Sequence, residues 1–222
     1  MTEFPMVSVL FTTYNRTPYA VRAIQTALEN LIYPNLVWYI ADSGSRSEHL
    51  DVIQKLLSSS KVIGFHSDGF LLPGNNWNKG IRRIFDFTNI YFRLEDDWIT
   101  MQKVDLAPYV KVLLEQEEVG QVRLGGLPIN IESESVGYDG RTYLRLHKTR
   151  EYYYSGHPGL IHKRFHDAYG YFDNDEPVPG NCEIFLDANV LTTPGPAAWW
   201  PVDNGTWGPF GHIGTERTED MK

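Results

Sequence analysis

The chain alternates short apolar runs with segments whose apolar residues recur every three or four positions. Val7-Ser8-Val9-Leu10-Phe11 is the first run, and it predicts a buried strand. It ends in Thr12-Thr13-Tyr14-Asn15-Arg16, after which Thr17-Pro18 opens a helix. Thr17 is the expected N-cap, and Pro18 falls in the first turn, where its missing N–H costs nothing. Ala20, Val21, Ile24, Ala27, Leu28 and Leu31 form the buried stripe. Pro34-Asn35 turns the chain into a second strand over 36–41, which ends on Asp42-Ser43-Gly44-Ser45. Ser45 and Glu48 have capping-box spacing for a helix that buries Leu50, Ile53, Leu56 and Leu57. A third strand is expected over 61–66. A loop through Pro73-Gly74-Asn75-Asn76 precedes a short helix marked by Ile81, Ile84 and Phe85, and a fourth strand covers 90–94.

Strand and helix alternating in this way predict an α/β fold: one domain with a mainly parallel central sheet and helices on its faces. Right-handed crossovers bring the loop ends of such strands to one edge, where ligands of open α/β sheets bind. That edge would carry residues 12–15, residues 42–45 and the acidic triplet Glu95-Asp96-Asp97. Three adjacent carboxylates repel one another unless a cation sits among them. Hard divalent ions such as Mg²⁺ or Mn²⁺ suit oxygen ligands of this kind. Beyond residue 100 the alternation weakens. Helices are expected over 105–117, 163–168 and 182–190, and strands over 121–124 and 142–146 with a polar loop between them. Residues 194–214, rich in Pro, Gly and Trp, read as ordered loop.

At 222 residues the length suits one large domain, and no repeat or low-complexity linker divides it. An aromatic content of 14% hints at surfaces for flat or sugar-like ligands. The net charge of −8 argues against a polyanion bound across a broad basic face. A single cysteine, Cys182, excludes an internal disulfide and suits a reducing compartment. With no basic-then-apolar leader and no apolar stretch near the ~20 residues of a membrane span, a cytoplasmic protein is expected.

Taken in order, these segments resemble a known family. Val7-Ser8-Val9-Leu10-Phe11-Thr12-Thr13-Tyr14-Asn15-Arg16, Ala41-Asp42-Ser43-Gly44-Ser45, Asn78-Lys79-Gly80-Ile81 and Leu94-Glu95-Asp96-Asp97 resemble a GT-A glycosyltransferase of the family-2 type. Gly156-His157-Pro158-Gly159-Leu160-Ile161 and Gly170-Tyr171-Phe172-Asp173 look like its acceptor-side segment. The likeness spans nearly the whole chain. Its acidic motif is Glu-Asp-Asp rather than the commoner Asp-x-Asp, and the downstream Glu-Asp pair is present only as Cys182-Glu183.

The resemblance implies a metal-dependent, inverting transfer of sugar from a nucleoside-diphosphate donor, a UDP-sugar above others, to an acceptor hydroxyl. Residues 1–100 or so would bind donor and metal, and the remainder would build the acceptor site. Asp42 would hydrogen-bond the nucleotide base in a pocket shaped by Thr12, Thr13, Tyr14, Asn15 and Arg16. Asn78 and Lys79 would lie near ribose and diphosphate, and Glu95 and Asp96 near ribose or sugar. Asp97, with His212, would hold Mn²⁺ or Mg²⁺. Glu183 is the candidate base and Asp187, one turn on, its rival. His157, Trp199, Trp200 and Trp207 are the candidates for contacts to sugar or acceptor.

Other chemistries find less in the sequence. A sugar nucleotidyltransferase would want a Gly-rich basic loop after the first strand, where this chain has Thr-Thr-Tyr-Asn-Arg. A non-catalytic nucleotide-sugar or glycan-binding protein would not need both Asp97 and Glu183. His162 and His166 have zinc-ligand spacing without the accompanying Glu, and are expected to be exposed. No Gly-Lys-Ser/Thr phosphate loop is present. The acceptor stays open among glycan, protein, lipid, small molecule and modified nucleic-acid base.

Overall fold

The structure, a computed structural model, describes residues 4–126, 131–149, 153–154, 156–205 and 208–214. In chain order the elements are β1 (Val7–Thr13), α1 (Thr17–Asn30), β2 (Leu31–Ile32), β3 (Leu36–Asp42), α2 (Ser47–Leu56), β4 (Val62–His66), α3 (Pro73–Ile84) and β5 (Ile90–Glu95). There follow β6 (Trp98–Thr100), β7 (Val104–Asp105), α4 (Ala107–Glu115), β8 (Val119–Arg123), β9 (Ser133–Tyr138) and β10 (Arg141–Leu146). The last are β11 (Gly159–His162), α5 (Lys163–Tyr169), α6 (Pro179–Thr192), β12 (Ala197–Pro201), a helical turn at Val202–Asn204, and β13 (Phe210–His212).

A nine-stranded sheet in the order β4-β3-β1-β5-β11-β8-β12-β10-β9 runs through the whole molecule. Its first four strands are parallel, as the alternation of strand and helix predicts. β11 and β10 run against the rest, so the sheet is mixed beyond β5. Successive side chains of a strand point to opposite faces. Val7, Val9 and Phe11 accordingly join the core under α1, α2 and α4, while Leu10 joins the core under α3, α5 and α6.

Several local expectations are corrected. Thr17 does not cap α1: Arg16 is the N-cap residue, and the Thr17 hydroxyl bonds the ring of His49 instead. Ser45 does not cap α2 either, because its hydroxyl is taken by Asp42. In both places another side chain claims the hydroxyl, a distant one for Thr17 and a near one for Ser45. α3 begins at Pro73, well before the expected short helix, with proline at its first turn. Residues 133–138, read as polar loop, form edge strand β9, and the region read as ordered loop from 194 contains the fully buried β12. His166, expected on the surface, is buried. Its Nδ1–H donates to the Gly170 carbonyl and its Nε2 accepts from Tyr91.

Candidate active site

The ends of β1, β3 and β5 meet in register, Thr13 opposite Asp42 and Thr12 opposite Glu95. Above them opens a cavity of about 480 Å³, within the size range of small-molecule sites. Its lining combines polar residues, Thr12, Thr13, Arg16, Ser43, Asn76, Glu95 and Asp96, with apolar ones, Phe70, Leu71, Pro73, Trp77 and Pro177. Tyr14 lines it too, its ring edge-on to Phe70 at 5.7 Å.

Along the polar part of this lining, carboxylates meet fixed cations. Arg16 bonds Asp96 at 3.2 Å and Asp97 at 2.8 Å, and Asp96 also accepts from the Thr13 hydroxyl at 2.9 Å. Because Thr13 donates to Asp96, it accepts from Nε2–H of His49, whose Nδ1 then accepts from Thr17. Burial pushes the Asp96 carboxyl up to about 7 against the pull of Arg16, and pushes Glu95 up to about 8 against the pull of Arg93. Neighbouring carboxylates push in the same direction, Asp97 on Asp96, and Glu183, Asp97 and Asp96 on Glu95.

Asp97 and His212 do come together, Oδ2 and Nε2 lying 3.3 Å apart. That is close to the separation of neighbouring ligands on a hard cation with bonds of about 2.1 Å. Pairing of β13 with β6 delivers His212 to this place, and Trp98 packs between the rings of His212 and His157 at 5.0 and 4.8 Å. Among the described residues no three His, Cys, Asp or Glu side chains are grouped to hold an ion alone. Asp97 and His212 could together supply two of a cation's ligands.

Other predicted residues stand elsewhere. Asp42 is wholly buried and does not line the cavity; it accepts from the Gly44 and Ser45 amides at 2.8 Å, from the Ser45 hydroxyl, and from Ser67 at 2.6 Å. It therefore ties the loop after β3 to the loop after β4. Gly44 brings those loops into contact: its φ of +88° suits glycine, and a methyl there would lie 2.5 Å from the Gly69 backbone. Asn15, at φ 52°, joins the first loop to the second through Ser45 and the Arg46 amide. Asn78 spends its side chain on Phe172 and Asn174, and Lys79 pairs with Asp68 at the surface. Neither reaches the cavity wall, because α3 presents Trp77 and Asn76 there instead.

On the far side, Glu183 and Asp187 separate clearly. Asp187 is buried and accepts from the Tyr154 amide at 2.6 Å, whereas Glu183 remains partly exposed and bonds Arg93 at 3.0 Å. Arg93 bonds Glu95 as well, at 2.7 Å, so α6 and β5 bring an acid from each half of the chain to one guanidinium. Trp199 and Trp200, neighbours on β12, are buried on opposite faces of the sheet and cannot stack on a ligand. Trp207 lies outside the described residues. His157, largely buried, faces the Gly126 carbonyl and Trp98.

The sequence reading missed Phe70, Trp77, His49 and Arg93. Phe70 follows a glycine in a loop, and Trp77 sits on a helix turn read as loop, so neither carried a periodic signal. His49 and Arg93 stand inside regular elements, where only tertiary contacts reveal their polar work.

No protein-family profile and no curated protein matches the sequence. Solved structures do. The chain is similar to mannosyltransferase PcManGT from Pyrobaculum calidifontis, in complex with GDP-Man and Mn²⁺, at TM-score 0.62 and 17% identity, over 89% of this chain and 55% of that one. It is similar to S. aureus TarS 1–349 in complex with UDP at TM-score 0.63 and 12% identity, over 88% and 60%. GalNAc-T7 with UDP, GalNAc and Mn²⁺ aligns at TM-score 0.64 and 14% identity, over 99% and 45%. The chain spans about half the length of these structures. The fold is the GT-A fold of nucleotide-sugar transferases.

Proposed function

We propose that this chain transfers a sugar from a nucleoside-diphosphate donor to an acceptor hydroxyl, with inversion at the anomeric carbon. The observation that carries this reading is the convergence on one sheet edge of Arg16, Asp96, Asp97 and His212 with Glu95 and the partly exposed Glu183. Fold likeness alone would not carry it.

In this reading residues 1–100 or so form the donor part and the rest the acceptor part. The base lies against the aromatic pair of Tyr14 and Phe70, as an aromatic surface suits a planar ring. Asp42 shapes that pocket by holding its loops rather than by touching the base. Arg16 stands at the cavity to neutralise the diphosphate. Asp97 and His212 would hold Mn²⁺ or Mg²⁺, which when bound stabilises the charge gathering on the diphosphate.

Glu183 takes the acceptor hydroxyl proton as its oxygen bonds the anomeric carbon, while the bond from that carbon to phosphate breaks and the nucleoside diphosphate leaves with the electron pair. Glu183 is preferred to Asp187 because only its carboxylate is open to an incoming group. A UDP-sugar is the first donor to try, with GDP- and TDP-sugars beside it.

Incubation of the protein and Mn²⁺ with each nucleotide-sugar, with water and a mixture of simple sugars supplying the acceptor hydroxyl, followed by release of the nucleoside diphosphate, tests the reading. Release by wild type that Glu183→Gln lowers by about 10²-fold or more supports it. Equal release by the two proteins would contradict the role given to Glu183, and no release from any donor would contradict the function.

No helix among the described residues is long and apolar enough to cross a membrane.

A further inference from the structure

Arg93 stands in the central strand of the sheet, between β1 and β11, with a side chain 2% exposed. A buried apolar residue would serve packing there better, since withdrawing a guanidinium from water costs several kcal/mol. Its contacts show what the charge is kept for. It donates to Tyr154 Oη at 2.6 Å, and one nitrogen, Nη2, serves both Glu95 Oε1 at 2.7 Å and Glu183 Oε1 at 3.0 Å. The ring of Trp77, which lines the cavity, covers the guanidinium at 4.5 Å, and Phe172 lies at 5.2 Å. Gly156 closes the remaining side: a methyl on it would collide with Glu183 Oε1 and lie 2.7 Å from Arg93 Cζ. Arg93 is therefore held between these rings and Gly156, with its nitrogens bonded to the two acids and Tyr154.

We propose that Arg93 is a positioning residue that holds Glu183 as an aimed carboxylate. The proposal rests on the reading of Glu183 as the base. Nη2 carries two hydrogens, so it serves both acids at once, and each carboxylate is held in its own direction. The charged and titratable groups facing Glu183 are Arg93 and Glu95 from β5, Tyr154 from the segment before β11, Arg123 from β8, and His157.

The test needs no substrate. Protein labelled with ¹³C at glutamate carboxyls is titrated by NMR, with the Glu183 signal identified by its loss in Glu183→Gln. The Glu183 signal is expected to titrate higher in Arg93→Met than in wild type, because the cation 3.0 Å away is lost, with Arg93→Lys between the two. A midpoint unmoved in both variants overturns the proposal. Should Arg93→Met fail to fold, Arg93→Lys decides alone, and a midpoint equal to that of wild type overturns the proposal. Because the readout is a titration, failure here is distinct from failure of nucleotide-sugar cleavage, which bears on the proposed function.

Discussion

Replacing Asp42 by alanine removes the acceptor of bonds from the Gly44 and Ser45 amides and from the Ser45 and Ser67 hydroxyls, at a site with no exposed surface. The hydroxyls can turn elsewhere, but the two amides are fixed by the turn. An unsatisfied buried donor costs about 1–3 kcal/mol, and losing bonds to a charged group adds to that, so a destabilisation of about 3–5 kcal/mol is expected. For a chain of this size such a loss lowers Tm by roughly 10 °C. Asp42→Asn keeps one carbonyl acceptor but presents an amide to groups that themselves donate, and should fall about midway. Urea denaturation followed by fluorescence measures the stability, and nucleotide titration of the folded fraction measures the site. Were Asp42 instead a direct reader of the base, Asp42→Ala would keep wild-type stability and lose only affinity or base preference. That outcome would refute the role argued from the hydrogen bonds.

Gly156→Ala forces Glu183 and Arg93 apart; it should cost about 1–3 kcal/mol through overpacking and reduce nucleotide-sugar cleavage far more than nucleotide binding, as separate turnover and binding assays would show. Phe70→Ala removes a ring that is 67% exposed, so stability should stay within about 0.5 kcal/mol while nucleotide affinity falls by about tenfold in calorimetry. Burial holds the His166 imidazole down, to about 4, so it stays neutral in the fold after the unfolded chain has begun to take up a proton below about 6.5. Its contribution is complete above pH 6.5 and is lost progressively toward pH 4, by about 3 kcal/mol in all. Denaturation midpoints at pH 7 and pH 5 should differ less in His166→Gln than in wild type, and an equal difference would count against the assignment.

How far the sequence reaches is clear from particular residues. The ends of β1, β3 and β5 were legible because apolar runs that stop at polar loops specify buried parallel strands, and right-handed connection brings their ends together. Thr12, Thr13, Tyr14, Glu95 and Asp96 reached the cavity on that argument, and Arg16, named through the family resemblance, lines it beside them. Trp199 and Trp200 misled, since two adjacent tryptophans between prolines resemble a loop, and only the two-faced burial of a central strand explains them. Asp42, Asn78 and Asp187 carry the residue types of a binding site, yet buried amides and carbonyls claim their side chains. Glu183 and Asp187 lie four positions apart on one helix, and sequence spacing could not say which of them keeps an open oxygen.

The most direct test is calorimetric titration of UDP, GDP and TDP, each with and without Mn²⁺, on wild type and Asp97→Ala. Tight binding of one nucleotide, strengthened by Mn²⁺ in wild type and indifferent to it in Asp97→Ala, is the predicted result. Absence of binding by any nucleotide, with or without the metal, would contradict a donor site at the ends of β1, β3 and β5.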